Sequence, residues 1–257
     1  MEENEMAVYN FNAGPSALPA SVLEEAKKSL FQYKDSQMSV MEMSHRGKHY
    51  EEIHYEAIER IRHVLNVPND YHILLLQGGA SLQFAMIPLN FLRKDEKGAY
   101  ILSGSWSEKA WNEATIVGNT YILASSKENN YRAIPEVNLE NIAENTSYLH
   151  LTSNNTIYGT QWKDFPKEAP VPLFVDASSD IFSRQVDWNH VQLMYAGAQK
   201  NAGPAGVTVV ILKKDLLNRA ASSIPKILQY KTHAEKDSLY HTPPTASIFM
   251  LGLVMKW

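Results

Sequence analysis

The sequence predicts an α/β fold in which a mostly parallel sheet is covered by helices on both faces. Segments with strand character alternate along the chain with segments of helical spacing, as in parallel sheets joined by crossover helices. Several strand segments are continuous apolar runs, which indicates strands buried on both faces. The 257 residues are 44% hydrophobic and 20% charged, so we expect one large domain with a sizeable core.

Two helices are predicted before the first strand. Residues 21–24, Ser-Val-Leu-Glu, match a capping box, so a helix is predicted to open there with Val22, Ala26 and Leu30 on one face. A second helix is predicted over residues 50–65, where apolar side chains recur every four residues. It ends before a Pro-Asn-Asp turn signal.

The strands follow, and no repeat or linker divides the chain. We therefore expect an N-terminal segment of residues 1–20 and a single domain over 21–257. Strand character is found at residues 72–77, 99–103, 120–124, 148–152, 173–176, 193–196 and 207–212.

Composition and charge exclude several classes of function. The formal net charge is −4, from 24 basic and 28 acidic residues, which disfavours nucleic-acid binding. The chain has no cysteine, so disulfides, thiolate metal sites and cysteine nucleophiles are excluded, and the histidines show no metal-ligand spacing. We expect no metal. No apolar run reaches membrane-spanning length and the acidic start has no hydrophobic signal region, so we expect a cytoplasmic protein.

Lys200 lies within a run of small residues over 195–206, Tyr-Ala-Gly-Ala-Gln-Lys-Asn-Ala-Gly-Pro-Ala-Gly. Little bulk surrounds its amine, which suits a lysine that forms and releases a covalent bond to a carbonyl carbon. Such a lysine must be neutral part of the time, and partial burial lowers its pKa accordingly. The alternative is an ordinary surface turn, which the Gly, Pro and Asn residues alone would favour.

A second motif follows the first predicted strand, where Gly78, Gly79, Ala80 and Ser81 lead into a helix. Small residues let a phosphate approach the backbone, and the free N–H groups of a helix start supply donors. The motif is neither a P-loop nor a dinucleotide fingerprint. A plain glycine turn explains the spacing equally well.

Three side chains that follow predicted strands could contact a planar ligand. Asp176 ends a buried strand and could pair with a protonated ring nitrogen, although capping a turn is the simpler role. Trp106 could present its face to the ligand, or it could be a partly buried anchor. Thr156 could donate to a phenolic oxygen, or it could serve only the turn in which it lies.

His45 and Arg46 concentrate positive charge before the second predicted helix. The guanidinium fork matches phosphate or carboxylate, and the imidazole can add a donor. A solvated basic turn is the competing interpretation.

Five stretches, in this order, resemble the phosphoserine aminotransferases, which are class V, fold type I enzymes that use pyridoxal 5′-phosphate. They are Asn-Phe-Asn-Ala-Gly-Pro at 10–15, Ser-His-Arg-Gly-Lys at 44–48, Gln-Gly-Gly-Ala-Ser-Leu-Gln-Phe at 77–84, Ala-Gly-Ala-Gln-Lys-Asn at 196–201 and Thr-Pro-Pro-Thr at 242–245. The resemblance implies the large domain of that fold, with a seven-stranded type of sheet.

The resemblance also implies roles at the cofactor ring. Lys200 would carry pyridoxal phosphate as an imine and later move the proton between the substrate Cα and the cofactor. Asp176 would keep the pyridine nitrogen protonated and so make the ring an electron sink. Trp106 would stack on the ring, and Thr156 would bond its phenolic oxygen.

Further implied roles concern the phosphates and a second subunit. Ala80, Ser81 and Gln199 would hold the cofactor phosphate, which residues corresponding to His241 and Thr242 would reach across a homodimer interface. His45 and Arg46 would bind the phosphate of the substrate. The implied reaction is reversible amino transfer from glutamate to 3-phosphohydroxypyruvate in serine biosynthesis, and some relatives act on 4-phosphohydroxythreonine in vitamin B6 biosynthesis.

Three departures from the family pattern stand out. His241 replaces an expected Asn, and Ser81 replaces an Arg found in some members. The chain also stops in an apolar helical pattern at Trp257. We therefore expect that the small C-terminal domain, with its carboxylate-binding arginine, is missing. Another class V activity and a cofactor-binding but inactive fragment are the alternatives.

Overall fold

A seven-stranded sheet forms the centre of the molecule in a computed structural model that describes residues 9–257. The first eight residues of the predicted N-terminal segment lie outside the described residues. The strands of the sheet are β1 (Tyr71–Leu76), β2 (Lys97–Leu102), β3 (Thr120–Ser125), β4 (Thr146–Thr152), β7 (Leu173–Asp176), β8 (Leu193–Gly197) and β9 (Thr208–Lys213). A separate two-stranded hairpin consists of β5 (Asn154–Asn155) and β6 (Thr160–Gln161).

Two helices precede the first strand, as predicted, and the others lie between or after the strands. The helices are α1 (Ala20–Phe31), α2 (Lys48–Val64), α3 (Gly79–Phe91), α4 (Ser105–Val117), α5 (Tyr230–Glu235) and α6 (Thr245–Lys256). None of those in the described part of the chain has both the length and the apolar character needed to cross a membrane.

The sheet has the order β1-β9-β8-β7-β4-β2-β3. All neighbours from β8 to β3 pair in parallel, whereas β9 runs antiparallel to both β8 and β1. The prediction of a mostly parallel sheet is therefore confirmed. Because β9 is reversed, β1 points the same way as β8, and their carboxyl ends lie at one edge of the sheet.

Two apolar clusters cover the two faces of the sheet, as the continuous apolar strands predict. On β1, Ile73 and Leu75 face the cluster that contains α1, α2 and α6. Leu74 and Leu76 face the other cluster, with α3, α4 and α5. Successive side chains of a strand point to opposite faces, so a strand inside the domain needs apolar residues at every position.

The predicted start of the first helix is wrong. The helix begins at Ala20 with Pro19 as its N-cap, so Ser21 lies inside the first turn and not at the cap position that the capping box requires. The Pro19 carbonyl instead accepts the N–H groups of Val22 and Leu23, both at 3.1 Å. Along the predicted apolar face, Val22 and Ala26 are buried, but Leu30 is 44% exposed.

Candidate active site

A cleft opens where several strands end at the carboxyl edge of the sheet. In open α/β sheets this edge is where ligands bind, since loops and helix starts converge there. The lining residues come from the ends of β4, β7 and β8 and from the starts of α3 and α4. They are Gly79, Ala80, Ser81, Trp106, Thr152, Asn154, Asp176, Ser178, Ser179, Gln199 and Lys200.

Lys200 projects into this cleft from the turn after β8. Its Nζ lies 3.2 Å from the Thr156 hydroxyl oxygen and 5.1 Å from the centroid of the Trp106 ring. Burial lowers the pKa of the Lys200 amine, and the nearby Asp176 carboxylate only partly offsets this effect. A lysine with a lowered pKa is neutral more often, which is what attack on a carbonyl carbon requires.

The N-terminal segment packs against the lysine turn. The Ser16 N–H donates to the carbonyl oxygen of Gln199 at 3.0 Å. A Cβ atom on Gly14 would lie only 2.6 Å from Lys200 Cγ. Glycine at position 14 therefore lets this segment close over the lysine stem without displacing it.

Asp176 is the last residue of β7 and is only 3% exposed. Its Oδ1 accepts the Ser178 N–H at 3.0 Å and the Ser178 hydroxyl at 2.6 Å. Asp176 therefore does cap the turn that follows β7. Of its two carboxylate oxygens, only Oδ1 accepts hydrogen bonds from the described residues. Oδ2 stays available to a donor in the cleft.

Burial raises the pKa of Asp176, while the Ser178 hydrogen bonds and the positive charge of Lys200 act in the opposite direction. A cationic N–H donor in the cleft would add to these lowering effects. A ligand with a protonated ring nitrogen therefore fits this carboxylate.

Two glycines with positive φ shape the start of α3. Gly78 is the N-cap of the helix at φ 87°, and Gly79 has φ 65°, with no atom of the described residues within 4 Å of where a Cβ would be. These conformations favour glycine, and the empty space beside Gly79 admits a ligand. The first-turn N–H groups, including those of Ala80 and Ser81, have no carbonyl partner within the helix. They suit a phosphate.

Trp106 and Thr156 are brought close to Lys200. Trp106 is the second residue of α4, and its ring lines the cleft. On the same helix the Lys109 amine lies 4.4 Å from the ring centroid. Thr156 lies in the turn between β5 and β6.

Sequence reasoning missed several polar residues of the cleft. Thr152 ends β4, and its buried hydroxyl has no hydrogen-bond partner among residues 9–257. Asn154 donates to the Ser179 hydroxyl at 2.9 Å. The hydroxyl of Ser178 contacts both Asp176 and the Gly197 N–H, so it ties the end of β7 to the end of β8. The position of each residue at the end of a predicted strand was the available signal.

Four predicted residues lie away from the cleft in this single chain. His45 is half-buried and Arg46 is exposed, both in the turn before α2. The Gln77 amide donates to the Thr242 carbonyl oxygen at 3.2 Å, and His241 lines a different cavity. Their expected contacts with ligand stay predictions.

The described residues satisfy the requirements of pyridoxal phosphate better than those of a metal ion. Within residues 9–257, no group of three or more His, Asp or Glu side chains is arranged to hold a metal. By contrast, the cleft combines a lysine of lowered pKa, a buried carboxylate with a free oxygen, an aromatic face and a glycine-rich helix start.

Comparison with known proteins gives one consistent result. The sequence pattern of the family described as Aminotransferase class-V matches residues 8–257. The phosphoserine aminotransferase of Alkalihalobacillus alcalophilus is 57% identical over 250 residues, which cover 97% of this chain and 69% of that protein.

Solved structures agree with this result. The phosphoserine aminotransferase from Bacillus circulans subsp. alkalophilus is 49% identical with a TM-score of 0.94, and the match covers 98% of this chain and 70% of that one. A PLP-bound phosphoserine aminotransferase from Trichomonas vaginalis is 38% identical with a TM-score of 0.91, covering 98% of this chain and 75% of that one.

Proposed function

The chain belongs to the class-V aminotransferase family and, within it, to the phosphoserine aminotransferases, and we propose the corresponding reaction for it. The amino group of glutamate passes reversibly to 3-phosphohydroxypyruvate, giving O-phosphoserine and 2-oxoglutarate in serine biosynthesis. Pyridoxal 5′-phosphate, the cofactor of this family, supplies the electron sink for the carbon that exchanges its amino group. One observation carries the proposal: the amine of Lys200 shares a cleft with the buried carboxylate of Asp176.

Lys200 would hold the cofactor through its amine and would move a proton at the substrate Cα. Its lowered pKa supports both steps, because a neutral amine is needed for each. Asp176 would hold the protonated ring nitrogen through Oδ2. Trp106 would supply a flat apolar wall, and Thr156 would donate to the phenolic oxygen.

The phosphate of the cofactor is held at the start of α3. Backbone N–H groups of Ala80 and Ser81 and the side chain of Gln199 are the donors that this chain supplies. We propose that His241 and Thr242 of a second copy complete the site in a homodimer. Their position outside the cleft of their own chain supports this arrangement.

His45 and Arg46 bind the phosphate of the substrate, since a guanidinium and an imidazole together match a phosphate dianion. A substrate with the same phosphate group, 4-phosphohydroxythreonine of vitamin B6 biosynthesis, suits the same pair. The substrates are charged and do not cross membranes unaided, which supports a cytoplasmic location. Residues 21–257 form the cofactor-binding domain in this proposal.

Borohydride trapping tests the proposal. Purified chain mixed with pyridoxal phosphate should develop a visible absorption band, and reduction should attach the cofactor to Lys200, as peptide mass spectrometry would show. Lys200→Arg should abolish both signals, whereas Lys213→Arg, on β9, should leave them intact.

Adding O-phosphoserine to the loaded chain then tests amino transfer. Conversion of the band to that of the amine form, with release of 3-phosphohydroxypyruvate, is the expected result. No band at all would refute the cofactor role. A band that phosphoserine leaves unchanged would favour a chain that binds the cofactor without turnover.

A further inference from the structure

Asp180 is a buried carboxylate that the proposed reaction does not use. It is 7% exposed and lies in the turn after β7, four residues beyond Asp176. Burying a carboxylate is costly unless it is paired and hydrogen-bonded. The partners of Asp180 therefore indicate what this residue holds together.

The two carboxylate oxygens of Asp180 contact two other segments. Oδ1 accepts a hydrogen bond from the hydroxyl of Ser153, which directly follows β4. Oδ2 accepts the side-chain amide of Gln161, on β6, at 3.0 Å. The Arg184 guanidinium lies 3.6 Å from Oδ2 and supplies the opposite charge.

These contacts join the elements that carry the reacting groups. The Ser153 N–H also donates to the Asp176 carbonyl oxygen at 2.9 Å, so β4 and β7 are tied at the level of Asp176. Gln161 lies on the second strand of the hairpin whose turn holds Thr156, and Thr156 contacts the amine of Lys200.

We propose that Asp180 is a positioning residue, whose carboxylate fixes the β5–β6 hairpin so that Thr156 stays against the Lys200 amine. Gln161 is exposed, so packing does little to hold its side chain. The hydrogen bond to Asp180 joins β6 to the turn after β7, to which hydrogen bonds between Asn154 and Ser179 also join β5. The consequence for Thr156 as a donor to the cofactor rests on the proposed function.

A pair of substitutions with exchanged hydrogen-bond roles tests the connection. Asp180→Asn removes the acceptor at Oδ2 and leaves one oxygen for Ser153. Gln161→Glu places a carboxylate where the amide donor was. In the double variant the new amide at position 180 can donate to the new carboxylate at position 161, which restores the bond and keeps the total charge.

Amide hydrogen exchange of the cofactor-free chain reads the hairpin directly. Two backbone hydrogen bonds close the hairpin: the Gly159 N–H donates to the Asn155 carbonyl oxygen at 2.8 Å, and the Trp162 N–H donates to the Ser153 carbonyl oxygen at 2.9 Å. Exchange in peptides spanning residues 153–162 therefore measures how well the hairpin is ordered. Each single variant should exchange about tenfold faster there, as expected for loss of one hydrogen bond, while β1 peptides keep the parent rate. The double variant should return to the parent rate.

The loaded chain gives a spectroscopic readout. A hydrogen-bond donor to the phenolic oxygen weakens the attraction between that oxygen and the imine proton, which lowers the pKa of the imine. Loss of the donor therefore raises the pH midpoint of the absorption band. Asp180→Asn and Thr156→Val should each raise it by about half a pH unit or more. Asp187→Asn is the control, because it removes an exposed carboxylate from the same loop between β7 and β8. It should match the parent in both the exchange and the absorption assay.

Parent-like exchange in both single variants, or a double variant no better than the singles, would overturn the proposal. Gln161→Glu keeps the test decisive if Asp180→Asn does not fold, because Gln161 is exposed. Absence of any band in the parent would refute the proposed function. The exchange data would still decide whether Asp180 holds the hairpin.

Discussion

His150 should make the fold sensitive to mild acid. It lies within β4 and is 1% exposed, and one ring nitrogen, Nε2, shares a hydrogen bond of 2.9 Å with the Tyr195 hydroxyl. The other, Nδ1, is buried and has no partner in the described part of the chain. Burial lowers the pKa of this imidazole from 6.5 to about 3.

The size of the effect follows from these two pKa values. Between pH 6.5 and pH 3 the unfolded chain binds a proton at His150 that the folded chain does not. Stability from the neutral imidazole is therefore fully present above pH 6.5 and is lost as the pH falls towards 3. Between pH 7 and pH 5 the loss amounts to about 2 kcal/mol.

Urea unfolding of the parent and of His150→Phe at both pH values measures this loss. The aromatic neighbours of the ring, with Tyr100 at 5.1 Å between centroids, should accommodate phenylalanine. At pH 7 the variant should lose about 1–3 kcal/mol because the Tyr195 hydroxyl lacks its partner. Between pH 7 and pH 5, however, it should lose about 2 kcal/mol less than the parent.

His63→Asn is the control, since it removes an exposed histidine from α2. Its unfolding should follow the pH dependence of the parent. Equal losses between pH 7 and pH 5 in the parent and in His150→Phe would refute the reasoning, because the buried imidazole would then not titrate with a lowered pKa.

Two further predictions concern the cleft. Burial lowers the pKa of Lys200, whereas a hydrogen bond with Tyr33 is the main cause that raises the pKa of Lys34. Acylation of the cofactor-free chain at a series of pH values, read by peptide mass spectrometry, should therefore reach half-labelling at a lower pH for Lys200 than for Lys34. Equal half-labelling pH values would contradict this prediction. In Gly104→Ala the new Cβ would lie 2.5 Å from the Asn155 side-chain oxygen. Urea unfolding should therefore show that the free energy of unfolding falls by about 1–3 kcal/mol. An unchanged urea midpoint would contradict this, because the Asn155 side chain would then move aside without cost.

The sequence alone predicts the strands of the sheet and the place of two residues of the cleft, Asp176 and Lys200. Strand character predicts all seven strands of the sheet, and several of them are continuous apolar runs because a strand buried on both faces leaves little room for polar residues. The same strands predict that Asp176 and Lys200 lie at one edge of the sheet, where residues that follow parallel strands meet, and both line the cleft there.

Other features leave no such pattern. The β5–β6 hairpin has strands of two residues, too short for any periodicity, so its strands were not predicted. At Ser21 a matching capping pattern was overruled by Pro19, whose carbonyl already accepts the first-turn N–H groups. The hydrogen bonds of Asp180 could not be predicted, because they join segments that are far apart in the chain and leave no periodic pattern in the sequence.

The reversed strand β9 sets an order of assembly. β1 forms one edge of the sheet and, among the described strands, pairs only with β9, from Tyr71 against Lys213 to Leu76 against Thr208. During synthesis the glycine-rich turn after β1 therefore emerges early but cannot be fixed beside the lysine turn until β9 has left the ribosome. A cofactor that needs both turns can stabilise the chain only at the end of folding, when nearly all of the sheet is in place.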